Sequence, residues 1–172
     1  MSINNIKLID INKNLQKKVI LNNINLEFNK GKIVGIIGAN GSGKSSLFKV
    51  LSGLWNFDSG KILFDEIEIT ENKNFIRKNI GAFIENPNFY EDLNALQNFE
   101  IIKKLYNIRN EEWYYKLISD FGIDKFINIK LKKCSLGMRQ KVAIVMALLP
   151  NPDIIILDEA TNSLDISAVN VL

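Results

Sequence analysis

Histidine is absent from the 172-residue chain, so nothing that requires an imidazole can be built from it. Cysteine occurs once, at Cys134, which excludes an internal disulfide and fits a reducing compartment. A lone cysteine of this kind reads as a small apolar filler rather than a reactive thiol. The N-terminus, "MSINNIKLIDINKN", has no basic head followed by an apolar block, so no secretory signal is expected. The longest apolar run, "VAIVMALLP" at 142–150, falls far short of the roughly 20 residues needed to cross a bilayer. A soluble chain is therefore expected, one that could still dock onto a membrane protein. Net charge is only +3, with cations scattered among acids and asparagines, so no basic stripe argues for nucleic acid. No internal repeat or low-complexity linker is present.

What remains is globular in composition, with 47% hydrophobic residues in a chain of single-domain size. Asparagine, lysine and isoleucine are abundant, which reads as compositional bias without mechanistic content. "IKLIDI" and "INLEFN" have strand character, and the turn "NKGK" leads into an expected strand, "IVGIIG". "KSSLFKVLSGLW" has helical spacing that places Leu47, Val50, Leu51 and Leu54 on one face. "SGKILFDEIEI" reads as a hairpin and "NIGAFIE" as a strand. From about Leu93 the pattern turns helical, through "LNALQNFEIIKKLYNI", "NEEWYYKLISDFGI" and "DKFINIKL". A further helix ends near Pro150, and "PDIIILDEA" reads as a buried strand. The alternation predicts an α/β fold: a parallel-rich core, an antiparallel N-terminal sheet and a helical insertion around 88–133.

"GANGSGKS", at 38–45, satisfies the phosphate-binding P-loop pattern between the expected strand and the helix starting at Lys44. Glycines let successive amides turn toward phosphate oxygens, and a helix N-terminus adds positive potential. Gly38, Ala39, Asn40, Gly41, Ser42, Gly43, Lys44, Ser45 and Ser46 are accordingly the expected nucleotide cradle. Lys44 should neutralise phosphate charge, while the Ser45 hydroxyl should ligate Mg²⁺. Downstream, "IIILDE" places Asp158 and Glu159 at the end of an apolar strand. In P-loop proteins that is where the second acid of the metal site stands, which assigns Asp158 to Mg²⁺. Glu159 is then placed to polarise a water for in-line attack on a γ-phosphate.

Between these motifs lies "CSLGMRQK", at 134–141, a small polar residue and a glycine opening a helix with no evident local partner. Phosphate loop, helical insertion, "CSLGMRQK" and "IIILDEATNSLD", in that order, resemble the nucleotide-binding domain of an ABC ATPase, and the match spans essentially the whole chain. The resemblance implies a P-loop NTPase core with an antiparallel N-terminal β-subdomain and a helical subdomain. Its parts would be 1–87 for the β-subdomain and P-loop core, 88–150 for the helical subdomain, and 151–172 for the Walker B strand and the loop after it. It also implies two such domains, alike or related, dimerising head to tail over ATP and Mg²⁺. Ser135 would donate its hydroxyl, and Gly137 its amide, to the γ-phosphate of the nucleotide on the other domain. A plain serine N-cap is the simpler alternative for Ser135.

Several positions depart from the family's commonest form. Cys134, Leu136 and Met138 replace the usual leucine, glycine and glutamine of the signature loop, and Leu136 lacks glycine's backbone freedom. The position that normally holds a metal-contacting glutamine is Glu85, an acceptable ligand for a hard cation that adds negative charge near the phosphates. These substitutions are similar to those of the branch that exports, or protects against, peptide antibiotics such as lantibiotics and bacitracin. Pro87, Phe89 and Tyr90 fall where the family meets its transmembrane partner, and "TNSLD" at 161–165 where it meets the second protomer. The position of the adenine-stacking aromatic is Leu15. The switch histidine has no counterpart, which reads as C-terminal truncation. The resemblance thus implies an ATPase subunit energising a separate permease, held at the cytoplasmic face of the cell membrane. A soluble ABC ATPase acting on ribosomes or DNA, and a module that binds ATP without turnover, are the alternatives.

Overall fold

The computed structural model describes residues 3–68, 73–85, 89–160 and 168. The chain divides into two compact units, Met1–Ile80 and Gly81–Leu172.

The first unit is built on a four-stranded antiparallel sheet in the order β2-β1-β3-β4. β1 (Asn5–Leu15) pairs with β2 (Lys18–Asn29) on one edge and with β3 (Ser59–Phe64) on the other. Alternation buries Ile6 and Leu8, and then Ile11 instead of the next even position. The register shift between Leu8 and Ile11, with Asp10 at φ 49°, accounts for this. One extra residue on a strand rotates the following side chain onto the opposite face. β4 (Ile67–Glu68) completes the expected hairpin with β3. α1 (Lys44–Leu51) buries Leu47, Val50 and Leu51. It ends there because the Trp55 amide turns back onto the Lys49 carbonyl at 2.9 Å, a closure that leaves Leu54 exposed rather than on the helix face expected for it. α2 (Lys73–Asn79) is a helix the sequence pattern did not announce. Its Phe75 meets Phe64 edge to face, with centroids 5.8 Å apart.

The expected strand at 33–37 does not form. Ile33 and Ile37 are fully exposed and Val34 is half exposed. A strand needs a neighbour to take up its amides and carbonyls, and among the described residues no strand pairs with this run.

The second unit opens on β5 (Ile80–Phe83), neighbour of β6 (Ile154–Leu157) in a two-stranded sheet. α3 (Ala95–Tyr106), α4 (Glu111–Asp120) and α5 (Leu136–Leu148) supply its core with Phe99, Tyr114, Leu117, Phe121, Ile144 and Val145. α5 buries residues around most of its circumference, as an interior helix should. The Trp113 indole donates to the Leu148 carbonyl at 3.2 Å, tying α4 to the end of α5. "DKFINIKL" is not an α-helix: short 3-10 turns at Ile123–Lys125 and Leu131–Lys133 overlap its two ends, and Asn94 bridges to Lys130. Its β-branched and asparagine residues are weak helix formers, and burial of Phe126 and Leu131 fixes the turns instead.

Candidate functional site: a phosphate loop and an acid-bearing sheet edge

In the first unit, all nine cradle residues lie on the loop and first turn of α1. Gly43 is the N-cap at φ 97°, and no side chain caps this helix. Its first turn contains no acid either. The amides of Lys44, Ser45 and Ser46 therefore stand at a positive helix end with neither cap nor counter-charge. The contrast with other helices is informative: Asn94 caps α3 in a reciprocal pair with Gln97, Asn110 caps α4, and Ser135 caps α5. A cap at Gly43 is sterically unavailable, since a Cβ there would lie 2.9 Å from the Ile20 carbonyl oxygen. Lys44 Nζ donates to the carbonyls of Gly38 at 2.8 Å and Ala39 at 3.1 Å. Its charge is thus already held over the loop. Open amides, an ammonium and three serine hydroxyls make a donor set suited to phosphate.

In the second unit, the acids occupy the ends of neighbouring strands. Asp158 is 7% exposed, and its amide donates to the Phe83 carbonyl at 2.8 Å. Glu85 and Glu159, just beyond β5 and β6, are exposed. Both have left-handed backbones, at φ 54° and 52°. That conformation costs a non-glycine residue of order 1–3 kcal/mol, and it recurs where side chains are aimed for function. Among the described residues no cluster of three metal-ligating side chains exists. Hydroxyl and carboxylate oxygens at Ser45, Asp158 and Glu85 are the right donors for a hard cation such as Mg²⁺.

The start of α5 combines the two readings of Ser135. Its Oγ accepts from the Met138 amide at 3.2 Å, an ordinary N-cap. That bond uses an oxygen lone pair and leaves the hydroxyl proton available to donate. The Leu136 and Gly137 amides, first and second in the helix, have no intrahelical acceptor. Cys134 is buried, and burial pushes its thiol pKa up, as befits an inert filler. Leu15, at the end of β1, is 40% exposed. Phe89 and Tyr90 are described, whereas Pro87 and the run 161–165 lie outside the described residues.

Two side chains outside the expected site residues organise the second unit. Asn98 is fully buried on α3. It accepts from the Tyr90 amide at 2.9 Å and donates to the carbonyls of Tyr90 (3.1 Å) and Asn94 (2.9 Å). It thereby fixes the backbone at Tyr90 while the Tyr90 ring stays in solvent. Gln140, on α5, donates to the Ala160 carbonyl at 2.8 Å. A polar residue on the buried face of an apolar helix was the available signal for Gln140. Asn98 lay hidden among many asparagines.

Comparison with known proteins identifies the family. Residues 21–162 match the ABC transporter family. The lantibiotic transport ATP-binding protein SrtF of Streptococcus pyogenes is 36% identical over 160 residues, covering 93% of this chain and 68% of SrtF. Among solved structures, an ATP-binding subunit of an ABC transporter superposes with a TM-score of 0.86 at 26% identity, covering 96% of this chain and 70% of that one. A dimeric post-hydrolysis state of the ATP-binding cassette MJ0796, bound to ADP and Pi, gives 0.82 at 29% identity, covering 96% and 78%. Fold and phosphate loop define an α/β P-loop NTPase with an antiparallel N-terminal β-subdomain and a helical insertion. The chain belongs to the ABC transporter family as an ATP-binding domain, and its reaction is ATP hydrolysis.

Proposed function

We propose that this chain is the ATP-hydrolysing subunit of a transporter whose permease is a separate chain, and that its cargo class is peptide antibiotics, exported or warded off. The observation carrying the ATP site is the open start of α1, a helix with neither cap nor acid beside a lysine already drawn onto the loop. There the amides of 44–46 bind and orient the triphosphate, and Lys44 neutralises its charge. Glu159 accepts a proton from water as the water oxygen attacks the γ-phosphorus, and the bond to ADP breaks to release phosphate. When bound, Mg²⁺ would be held by Ser45, Asp158 and Glu85 and would offset charge accumulating on the phosphates.

The second anion-ready helix start, at Ser135 and Gly137, is explained by a second nucleotide-binding domain. Each domain's P-loop holds ATP, and the other's α5 supplies the closing donors. Similarity to a lantibiotic transport protein supports the cargo class, as do Glu85 and the "SLGM" sequence followed by Arg139, Gln140 and Lys141. Among the described residues no helix is long and apolar enough to cross a membrane. Placement at the cytoplasmic membrane face therefore rests on the proposed permease.

The test is ATP-dependent association followed by light scattering. Glu159→Gln should bind ATP and accumulate as a long-lived dimer, while Lys44→Ala should lose nucleotide binding and remain monomeric. Nucleotide enclosed by one molecule alone, with Ser135 turned away in every assembled state, would overturn the composite site. For the cargo, expression together with a separate permease chain should raise lantibiotic tolerance, and Glu159→Gln should abolish the gain. Tolerance that ignores Glu159 would remove the assignment.

A further inference from the structure

We infer that Gln140 is a positioning residue for ATP hydrolysis, holding the strained turn that presents Glu159; the inference rests on the proposed role of Glu159 as the proton acceptor. Gln140 stands on α5, the helix whose first turn bears Ser135 and Gly137, and is 8% exposed. Its Nε2 donates to the Ala160 carbonyl at 2.8 Å, with a longer approach of 3.5 Å to the carbonyl of Glu159 itself. The amide orientation is forced, because both carbonyls can only accept.

The other half of the amide is instructive. Gln140 Oε1 is buried and has no hydrogen-bond partner among the described residues. A glutamine that merely filled space there would be worse than leucine or methionine, since an orphaned buried acceptor is destabilising. Among the described residues the bonded half of the amide is its N–H group, directed at the turn formed by Glu159 and Ala160. Glu159 holds φ 52°, a conformation that side-chain-bearing residues keep only when their surroundings enforce it. A donor fixed to a rigid helix and bonded to the following carbonyl enforces it. Gln140 touches no nucleotide in this scheme; it acts on turnover by aiming the carboxylate.

Three variants test this, with folding checked by circular dichroism and thermal melting. Gln140→Leu keeps the volume and removes the donor. Its kcat should fall about 10- to 100-fold, the usual effect of removing a supporting hydrogen bond, with KM for ATP within about twofold. If Gln140→Leu does not fold, Gln140→Asn, one methylene too short to reach Ala160, is read in the same way. In Gln140→Glu the carboxyl can donate only when protonated, so turnover should recover as pH falls, against an unshifted profile for the parent protein. A folded variant with unchanged kcat, a change confined to KM, or a Gln140→Glu profile parallel to the parent's would each overturn the inference.

The two roles fail separately. On a Glu159→Gln background, Gln140→Leu should add no further loss in single-turnover hydrolysis, and a full additional loss would show that it acts elsewhere. If Glu159→Gln by itself leaves turnover intact, the reading of Glu159 falls, whatever Gln140 does.

Discussion

Gly43 illustrates how one residue decides whether a helix start can receive a phosphate. A residue with a Cβ at φ 97° is strained, and that Cβ would also press on the Ile20 carbonyl, 2.9 Å away, in the β2 backbone. Gly43→Ala is expected to destabilise the protein by about 1–3 kcal/mol and to weaken ATP binding together with it, because the loop must shift to make room. Urea unfolding and nucleotide titration on one preparation check this. Undiminished affinity in a folded variant would show that the loop tolerates rearrangement. At the same scale, the asparagines prove to have local duties. Asn94 and Asn110 cap helices, Asn107 closes α3 at φ 52°, and Asn98 is buried and fully bonded. Compositional bias supplied the residues, and their short amides were put to use where backbone groups needed partners.

Asn98 also makes a prediction at the scale of elements, since it joins α3 to the segment that follows β5. Asn98→Ala strands the Tyr90 amide, which has no other described acceptor, and should cost about 1–3 kcal/mol in urea unfolding. Because the change lies off the phosphate loop, ATP affinity should hold. A loss of ATP affinity matching the loss of stability would place Asn98 in the binding machinery instead. Legibility in the sequence followed the same division between local and distant causes. The capped, periodic helices α3 and α4, and α5 with its serine cap and run of helix formers, could be read directly, because their signals lie within a few residues. The P-loop helix and the acids after β6 were legible for the same reason: glycine spacing and an apolar run ending in carboxylates are contiguous. The run at 33–37 was misread because strand formation depends on a neighbour that sequence periodicity cannot supply. The span 124–131 was misread because burial of Phe126 and Leu131 outweighed an apolar spacing that looked helical. The Gln140–Ala160 bond spans 20 positions, so although the polar residue on an apolar helix was visible, its partner was not.

For the molecule as a whole, the missing histidine sets how stability should respond to pH. With no imidazole, the α-amino group is the only one whose ordinary pKa lies between about 5 and 8, and the Cys134 thiol is pushed up, away from that window, by burial. Below it, Asp58 is held under the usual carboxylate range by its hydrogen bond to Lys13, and Asp92 by its bond to Lys132. Depressed folded values mean that these pairs stabilise above the unfolded pKa of about 4 and lose that contribution as pH falls through the folded pKa. Both acids face water, so each effect is small. At the alkaline end, burial raises the Tyr114 hydroxyl to about 12. A raised folded value leaves stability intact below the unfolded value near 10 and removes it as pH climbs toward 12. Lys103, raised by its bond to Glu111, declines in the same direction. The melting temperature should therefore form a plateau from about pH 5 to 9, with a shallow acid flank and a steeper alkaline one. Asp58→Asn and Asp92→Asn should flatten the acid flank, and Tyr114→Phe the alkaline one. A distinct step between pH 6 and 7, measured by calorimetry, would overturn this account, since no described group with a shifted pKa titrates there.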